Sequence, residues 1–300
     1  MALLALLRQL QPQHGWRLQL WHGDHQWRPE AAQQAAELAA WAAAEGLPLQ
    51  LERWQRPAGQ PPSEAGARQW RYGRLSARAE ALGCRRVVTG HTASDRAETV
   101  LLNLARGSHR QGLGSLRRQR PLSAGVTLVR PLLEFSRQET AALCQELNLP
   151  LWLDPSNADP HYSRNRLRLQ VLPVLNDLHP GADQRIARLA EQLEQLEEGG
   201  RELLALALSP LEIAPPAGGH GRALHRGGLE GLQRINQSQL LQLWLEQQTG
   251  RRWPSRLLDG ALDRLPRRRG PGRLDLGHGW RLQWEGPTLW LSCDGDTARP

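Results

Sequence analysis

Arg86-Val-Val-Thr-Gly-His-Thr-Ala-Ser-Asp-Arg-Ala-Glu-Thr99 is the stretch that decides the fold. Arg86 to Thr89 is a short β-branched run ended by Gly90, which reads as a buried strand. From about Ser94 the residues take up helical spacing and hold it to Arg106. A strand that breaks at a glycine and turns directly into a helix is half of a βαβ unit in a parallel sheet. Asp95, Glu98 and Thr99 stand at i, i+3 and i+4, so both carboxylates share one face of the helix beside the strand end. Taken alone, these acids either complement the helix dipole or form a reactive pair at the mouth of a site.

Upstream, the alternating Trp16-Arg-Leu-Gln-Leu-Trp21 reads as a strand running into a polar loop, His22 to His25. Ala31 to Glu45 is a helix closed by Gly46, and Leu47 to Leu51 is a second strand. A proline-bearing loop covers Gln55 to Gly66, and Ala67 to Leu82 is the next helix. The order β-α-β-α-β-α predicts the α/β class, a parallel sheet with helices on both faces. Such sheets take ligands at the carboxyl ends of their strands, where His22 to Arg28 and Gly90 to Glu98 fall.

Downstream, a Gly- and Arg-bearing loop runs from Gly107 to Arg120, followed by a strand at Val126 to Arg130. The next helix spans Ser136 to Asn148, with Ser136 and Glu139 as a capping box. Leu151 to Asp154 reads as a last strand, Asp154-Pro-Ser-Asn157 as a turn, and Tyr162 to Leu175 as a helix broken by Pro173. Ala182 to Leu208 is one long helix, and the Pro- and Gly-rich Ser209 to Gly221 is a linker. Helices near 229–235, 237–249 and 254–264 and strands near 273–276, 280–284 and 289–291 make a small α+β module. The division expected is therefore 1–175, a helical connector at 176–215, and 216–300.

The 300 residues carry 38 basic and 30 acidic side chains, and every cation is arginine. Residues 1–175 hold 22 Arg against 14 acids, while 176–300 hold 16 of each. A second excess lies at 251–273, with 8 Arg against Asp259 and Asp263. Basic surfaces attract phosphates through counterion release, which makes a nucleic-acid partner an expectation, alongside the simpler account of solvated faces in an arginine-biased composition. The apolar start stops at Arg8, too short for a membrane span or an export signal, so no membrane partner is expected. Cys84, Cys144 and Cys293 are odd in number and far apart, which argues against a disulfide framework or a Cys-x-x-Cys site and points to the cytoplasm. Trp70 and Trp253, each beside an arginine, are candidates for exposed stacking, although core burial is the simpler expectation for tryptophan.

Read in order, His91-x-x-x-Asp-x-x-Glu-Thr99, Arg106-Gly-Ser108, Arg130-Pro-Leu-Leu133, Asp154-x-Ser-Asn157 and Arg164-Asn-x-x-Arg168 resemble the tRNA(Ile)-lysidine synthases of the PP-loop (N-type ATP pyrophosphatase) superfamily. The resemblance covers about residues 1–175. His22-Gly-Asp-His25 with Arg28 is similar to the family's His-x-x-His-x-x-Arg segment, which displaces a zinc pair as the reading of the two histidines. Two departures stand out. The family's Ser-Gly-Gly-x-Asp-Ser phosphate loop and first strand do not precede the helix at Met1 to Leu10, so Met1 is expected to be an internal methionine, and the chain as written is expected to bind ATP poorly. Ser94 stands where the family often has a second Asp.

The resemblance implies ATP-dependent ligation of L-lysine to C2 of the wobble cytidine of tRNA(Ile) with a CAU anticodon. ATP adenylates the C2 oxygen with release of diphosphate, and the lysine ε-amine displaces AMP. ATP is thus the co-substrate, Mg2+ the expected cation and a homodimer an open option, and the chain's own residues show no metal-ligand set. The implied catalytic residues are His91, Asp95, Glu98 and Arg106. His22 and Asp24 are candidates for ATP contact, and Arg130, Arg164, Arg168, Arg267, Arg268 and Arg269 for tRNA contact, with Arg164 and Arg168 equally open to holding their helix in place. Two alternatives remain: a non-catalytic tRNA-binding remnant, and another PP-loop enzyme such as a tRNA thiolase, for which Cys84 and Cys144 lie outside every motif.

Overall fold

The computed structural model describes residues 1–26, 30–55, 63–108, 110–152, 159, 162–266 and 270–293. The chain divides into two compact units, Met1–Glu194 and Gln195–Pro300.

The first unit runs α1 (Ala2–His14), β1 (Leu20–Asp24), α2 (Ala31–Ala44), β2 (Leu49–Arg53), α3 (Glu64–Ala81), β3 (Arg86–Val88), α4 (Ala93–Ala105), α5 (Arg110–Leu113), β4 (Gln119–Ser123), β5 (Val126–Val129) and α6 (Arg137–Glu146). There follow α7 (Ser163–Arg166), a π-helical turn (Leu167–Val171), α8 (Leu172–Leu178) and α9 (Ala182–Leu208), the last of which continues into the second unit. β1 and β2 pair in parallel, with Leu20 opposite Leu49. β3 pairs in parallel with β5, and β4 adds an antiparallel strand outside β5. The α/β class with a parallel sheet is thus present, as two paired groups with a hairpin edge.

Helix α3 covers both groups. Its Trp70 packs on Trp21 of β1 and stacks on Trp54 just beyond β2, with ring centroids 5.8 and 6.0 Å apart. Further along the helix, Tyr72, Leu75 and Ala79 pack on Val87, Val126 and Leu128 of the other group. Gly23 of β1 is required here: a Cβ would lie 2.3 Å from the Trp21 ring and 2.8 Å from that of Trp70.

The second unit is a five-stranded antiparallel sheet of β6 (Glu212–Ile213), β7 (His220–His225), β10 (Thr288–Cys293), β9 (Trp280–Glu285) and β8 (Gly272–Gly277), in that spatial order. Its helices are α10 (Gly227–Glu230), α11 (Arg234–Thr249) and α12 (Ser255–Arg264). Leu224, Leu241, Trp244, Leu282 and Leu289 are fully enclosed in its core.

Several elements differ from the sequence reading. β1 begins at Leu20 rather than Trp16, because a parallel ladder needs a partner and β2 starts only at Leu49. His22, Gly23 and Asp24 are therefore strand residues. The loop expected at 107–120 contains α5 and the start of β4, whose Pro121 is tolerated because β4 is an edge strand. The linker at 209–221 contributes β6 and the start of β7. Leu151 and Trp152 are not in a strand; the Trp152 indole instead donates to Glu37 at 2.9 Å. The turn at Asp154 to Asn157 lies outside the described residues. No helix among the described residues is long and apolar enough to cross a membrane.

Candidate active site

The site is built at the N-terminus of α4, immediately after β3. Thr92 is the N-cap, and its hydroxyl accepts from the Asp95 amide at 3.3 Å. Asp95 closes the capping box, its Oδ2 accepting from both the Thr92 amide and the Thr92 hydroxyl at 2.9 Å. Ser94 points inward, where its hydroxyl donates to Oδ2 of the buried Asp183 at 2.5 Å and accepts from the Arg137 amide at 3.0 Å. The starts of α4, α6 and α9 are pinned together at this serine. The buried Arg96 of α4 reaches Glu194, further along α9, at 2.6 Å. Gly114 approaches the α9 backbone so closely that a Cβ would lie 3.2 Å from the Glu194 nitrogen.

One turn into α4, Glu98 has no solvent exposure and is filled by guanidinium groups. Arg164 Nε donates to Oε2 at 2.9 Å, and Arg168 donates to both oxygens at 2.6 and 2.9 Å. Arg137 donates to Asp95 Oδ1 at 2.7 Å and reaches Glu98 at 3.5 Å. Arg164 and Arg168 straddle the junction of α7 and the π-helical turn and share one face, while Arg166 turns aside to Gln170. Two carboxylates thus meet three guanidinium groups, and the cluster keeps a net positive charge. Burial pushes the Asp95 carboxyl upward, but Arg137 and the Thr92 hydrogen bonds outweigh it, leaving Asp95 below its ordinary range.

His91 lies at the end of β3 between this cluster and a second group of arginines. Its Nδ1 is 2.9 Å from the Thr89 hydroxyl. Burial pushes the imidazole down to about 4; Asp95 opposes this, and Arg130, Arg164 and Arg68 add to it. His91 is therefore neutral near pH 7. Arg130 is 1% exposed, and its Nη1 donates to the Arg117 carbonyl at 2.6 Å. The Arg68 and Arg120 guanidinium carbons sit 5.2 and 4.8 Å from the centroid of the Tyr72 ring.

The structure brings His91, Asp95, Glu98, Arg164 and Arg168 together, with Arg130 close to His91. Arg106 does not join them. It is exposed at the opposite end of α4, eleven residues from Asp95, or about 16 Å along a helix. His22 and Asp24 belong to β1. Burial lowers the His22 imidazole against the opposing charge of Asp24, with Arg71 assisting, and Asp24 accepts from the Gln26 amide at 2.8 Å. His25 accepts from Arg71 at 2.6 Å and stands edge-on to Trp54 and Trp70. Trp70 is packed in this aromatic cluster, and Trp253 is a core residue of the second unit at 6% exposure, so neither is an open stacking platform. Arg28, Arg267, Arg268 and Arg269 lie outside the described residues.

The oxygens of Asp95 and Glu98 are already filled by Thr92 and the arginines, so this arrangement does not fit an additional Mg2+. Among the described residues no three His, Cys, Asp or Glu side chains are placed to hold a metal ion. Arg68, Tyr72, Arg137 and Asp183 were not marked by the sequence reading. The only local signal was the i, i+4 pairing of Arg68 with Tyr72 on one face of α3 and the position of Arg137 directly after the capping Ser136.

Residues 1–175 match the family model described as PP-loop domain. A tRNA(Ile)-lysidine synthase of Parasynechococcus marenigrum (strain WH8102) is 50% identical over 295 residues, covering 97% of this chain and 85% of that protein. One from a strain of Prochlorococcus marinus is 38% identical over 291 residues, covering 95% and 84%. Among solved structures, the U34-tRNA thiolase NcsA from Methanococcus maripaludis, with its 4Fe–4S cluster, aligns with a TM-score of 0.54 at 18% identity, over 64% of this chain and 67% of that one, a likeness of fold.

Proposed function

The chain belongs to the PP-loop domain family and, within it, to the tRNA(Ile)-lysidine synthases, and from that premise we propose that it ligates L-lysine to C2 of the wobble cytidine of tRNA(Ile) with a CAU anticodon. The C2 oxygen attacks the α-phosphorus of ATP and diphosphate leaves. The lysine ε-amine then attacks C2, the C2–O bond breaks, AMP departs and the amine loses a proton. This reading takes tRNA, ATP and lysine as substrates and sets the reaction in the cytoplasm. A homodimer is compatible with it. Mg2+ would supply charge neutralisation for ATP, and Asp95 and Glu98, whose oxygens are occupied, do not fit as its ligands.

The observation that carries the proposal is a neutral imidazole set among guanidinium groups at the carboxyl end of β3. The guanidinium groups attract ATP and the adenylylated RNA and stabilise charge on the departing phosphate. His91, unprotonated near pH 7, offers a ring nitrogen that accepts a hydrogen bond from the attacking amine and adds no charge of its own. Asp95 and Glu98 act by holding Arg137, Arg164 and Arg168 in place, since their own oxygens are occupied. Arg164 and Arg168 thereby face the reacting groups rather than a distant stretch of tRNA. Cys84 packs beside the Val87 cluster and Cys144 is buried in α6, which does not favour the sulfur-transfer alternative.

The test is lysidine formation on a CAU-anticodon tRNA(Ile) transcript, followed by nucleoside mass spectrometry and AMP release. It uses the 300-residue chain and a version extended upstream of Met1. Asp95→Ala and Glu98→Ala are expected to lower kcat at least a hundredfold in whichever version is active. Near-normal rates in both variants would overturn their assignment, and no lysidine from either version would overturn the function.

A further inference from the structure

We propose that Arg68, Arg120 and Arg130, gathered around the Tyr72 ring, form an oxyanion site that takes a phosphate group, supplied either by diphosphate or by the RNA backbone. The first observation is their gathering. Two guanidinium carbons lie within 5.2 Å of one ring centroid, so they are within about 10 Å of each other. Arg130 closes the floor of the group from a buried position.

The second observation is charge without compensation. Among the described residues no carboxylate forms an ion pair with any of these three arginines. Arg130 is held by burial and by a hydrogen bond with the uncharged Tyr72 hydroxyl, and the charged groups that act on it are the cations Arg120 and Arg68. Elsewhere in the same unit the pattern is the reverse: Arg74 pairs with Glu52, Arg96 with Glu194, and Arg164 with Glu98. Like charges held together repel, and repulsion of this kind is relieved by a bound anion.

The third observation is the Arg130 Nε, which is buried and makes no hydrogen bond among the described residues. A buried donor without an acceptor is costly and is relieved when a ligand oxygen arrives. Arg68 is exposed and Arg120 half-buried, so the group has a wet rim over a dry floor. Planar guanidinium forks on such a rim suit phosphate oxygens. Burial and the neighbouring arginines keep His91 unprotonated, so it adds no charge to the group.

The identity of the two anions rests on the lysidine-synthase reading, but the test reads binding. Inorganic pyrophosphate is titrated calorimetrically, and labelled tRNA(Ile) transcript is titrated by fluorescence anisotropy across a salt series. The wild-type chain is compared with the Arg68→Gln/Arg120→Gln double variant and with Arg74→Gln, an exposed arginine of the same helix that has its own carboxylate. Circular dichroism and melting temperature check that each variant is folded. An Arg130→Lys variant keeps the buried charge while removing the fork.

The double variant is expected to bind its anion about tenfold more weakly, and Arg74→Gln to bind as wild type. Loss confined to pyrophosphate identifies diphosphate as the source. Loss confined to tRNA, with a salt slope reduced by about one per removed phosphate contact, identifies the RNA backbone. Unchanged binding of both ligands in the folded double variant would overturn the proposal. Pyrophosphate binding through these arginines together with no lysidine from either version would refute the enzymatic reading and leave this one standing.

Discussion

His91 shows how one residue's chemistry is set by its surroundings. Its imidazole is lowered from 6.5 to about 4, first by burial and then by Arg130, Arg164 and Arg68 from three separate stretches of the chain, with Asp95 pulling the other way. The folded chain therefore binds fewer protons than the unfolded chain between those values, so stability falls as pH is lowered from about 6.5 to about 4. Below that window the His91 contribution is constant. Urea midpoints across the range should decline in the wild type and decline less in His91→Gln; parallel curves would contradict the assignment. Asp95, held below its ordinary range, acts in a separate and more acidic window. Much of this residue-scale picture was legible in the sequence, because the i, i+3 spacing of Asp95 and Glu98 fixes a common helix face. What Glu98 meets there was not legible. Arg164 and Arg168 arrive from 66 and 70 residues away, and Arg137 from 39. Only chain closure turns two apparent reactive carboxylates into holders of arginines.

At the scale of elements, capping chemistry was the most readable signal. The Ser136–Glu139 box and the span Ala182–Leu208 appear in the structure as the residues indicate. The strands were harder, since β1 depends on where β2 begins and β6 and β7 sit in a segment whose Pro and Gly content suggests a linker. The box at Thr92 and Asp95 has a second consequence, because the residue that caps α4 also orients the carboxylate that holds Arg137. Thr92→Ala is expected to cost about 1 kcal/mol of stability by urea denaturation. It should also reduce lysidine formation more than Ser136→Ala, which removes an equivalent cap from α6. Equal effects of the two substitutions on turnover would mean that the Thr92 box is only a helix start.

For the whole molecule, the positive excess and the apolar core lie in different places. The net +8 falls within residues 1–175, while residues 176–300 balance at 16 arginines and 16 acids. The second unit has a large core of its own in Leu224, Leu240, Leu241, Trp244, Leu282 and Leu289. A unit with its own core can open on its own, at a free energy set by that core. Leu241 is fully enclosed, so Leu241→Ala is expected to cost about 2–5 kcal/mol through lost burial and the cavity left behind. Hydrogen exchange with mass spectrometry should show the loss of protection in peptides from β7, α11 and β9. Peptides from β3, α4 and β5 should keep their protection, and pyrophosphate affinity should be unchanged. The helix α9 belongs to both units, so its two halves are the sensitive readout: 195–208 should lose protection and 182–194, fastened by Asp183 and Glu194, should not. Equal loss along the whole of α9 would show that the chain unfolds as one cooperative block, and the basic site would then depend on the second unit's core for its stability.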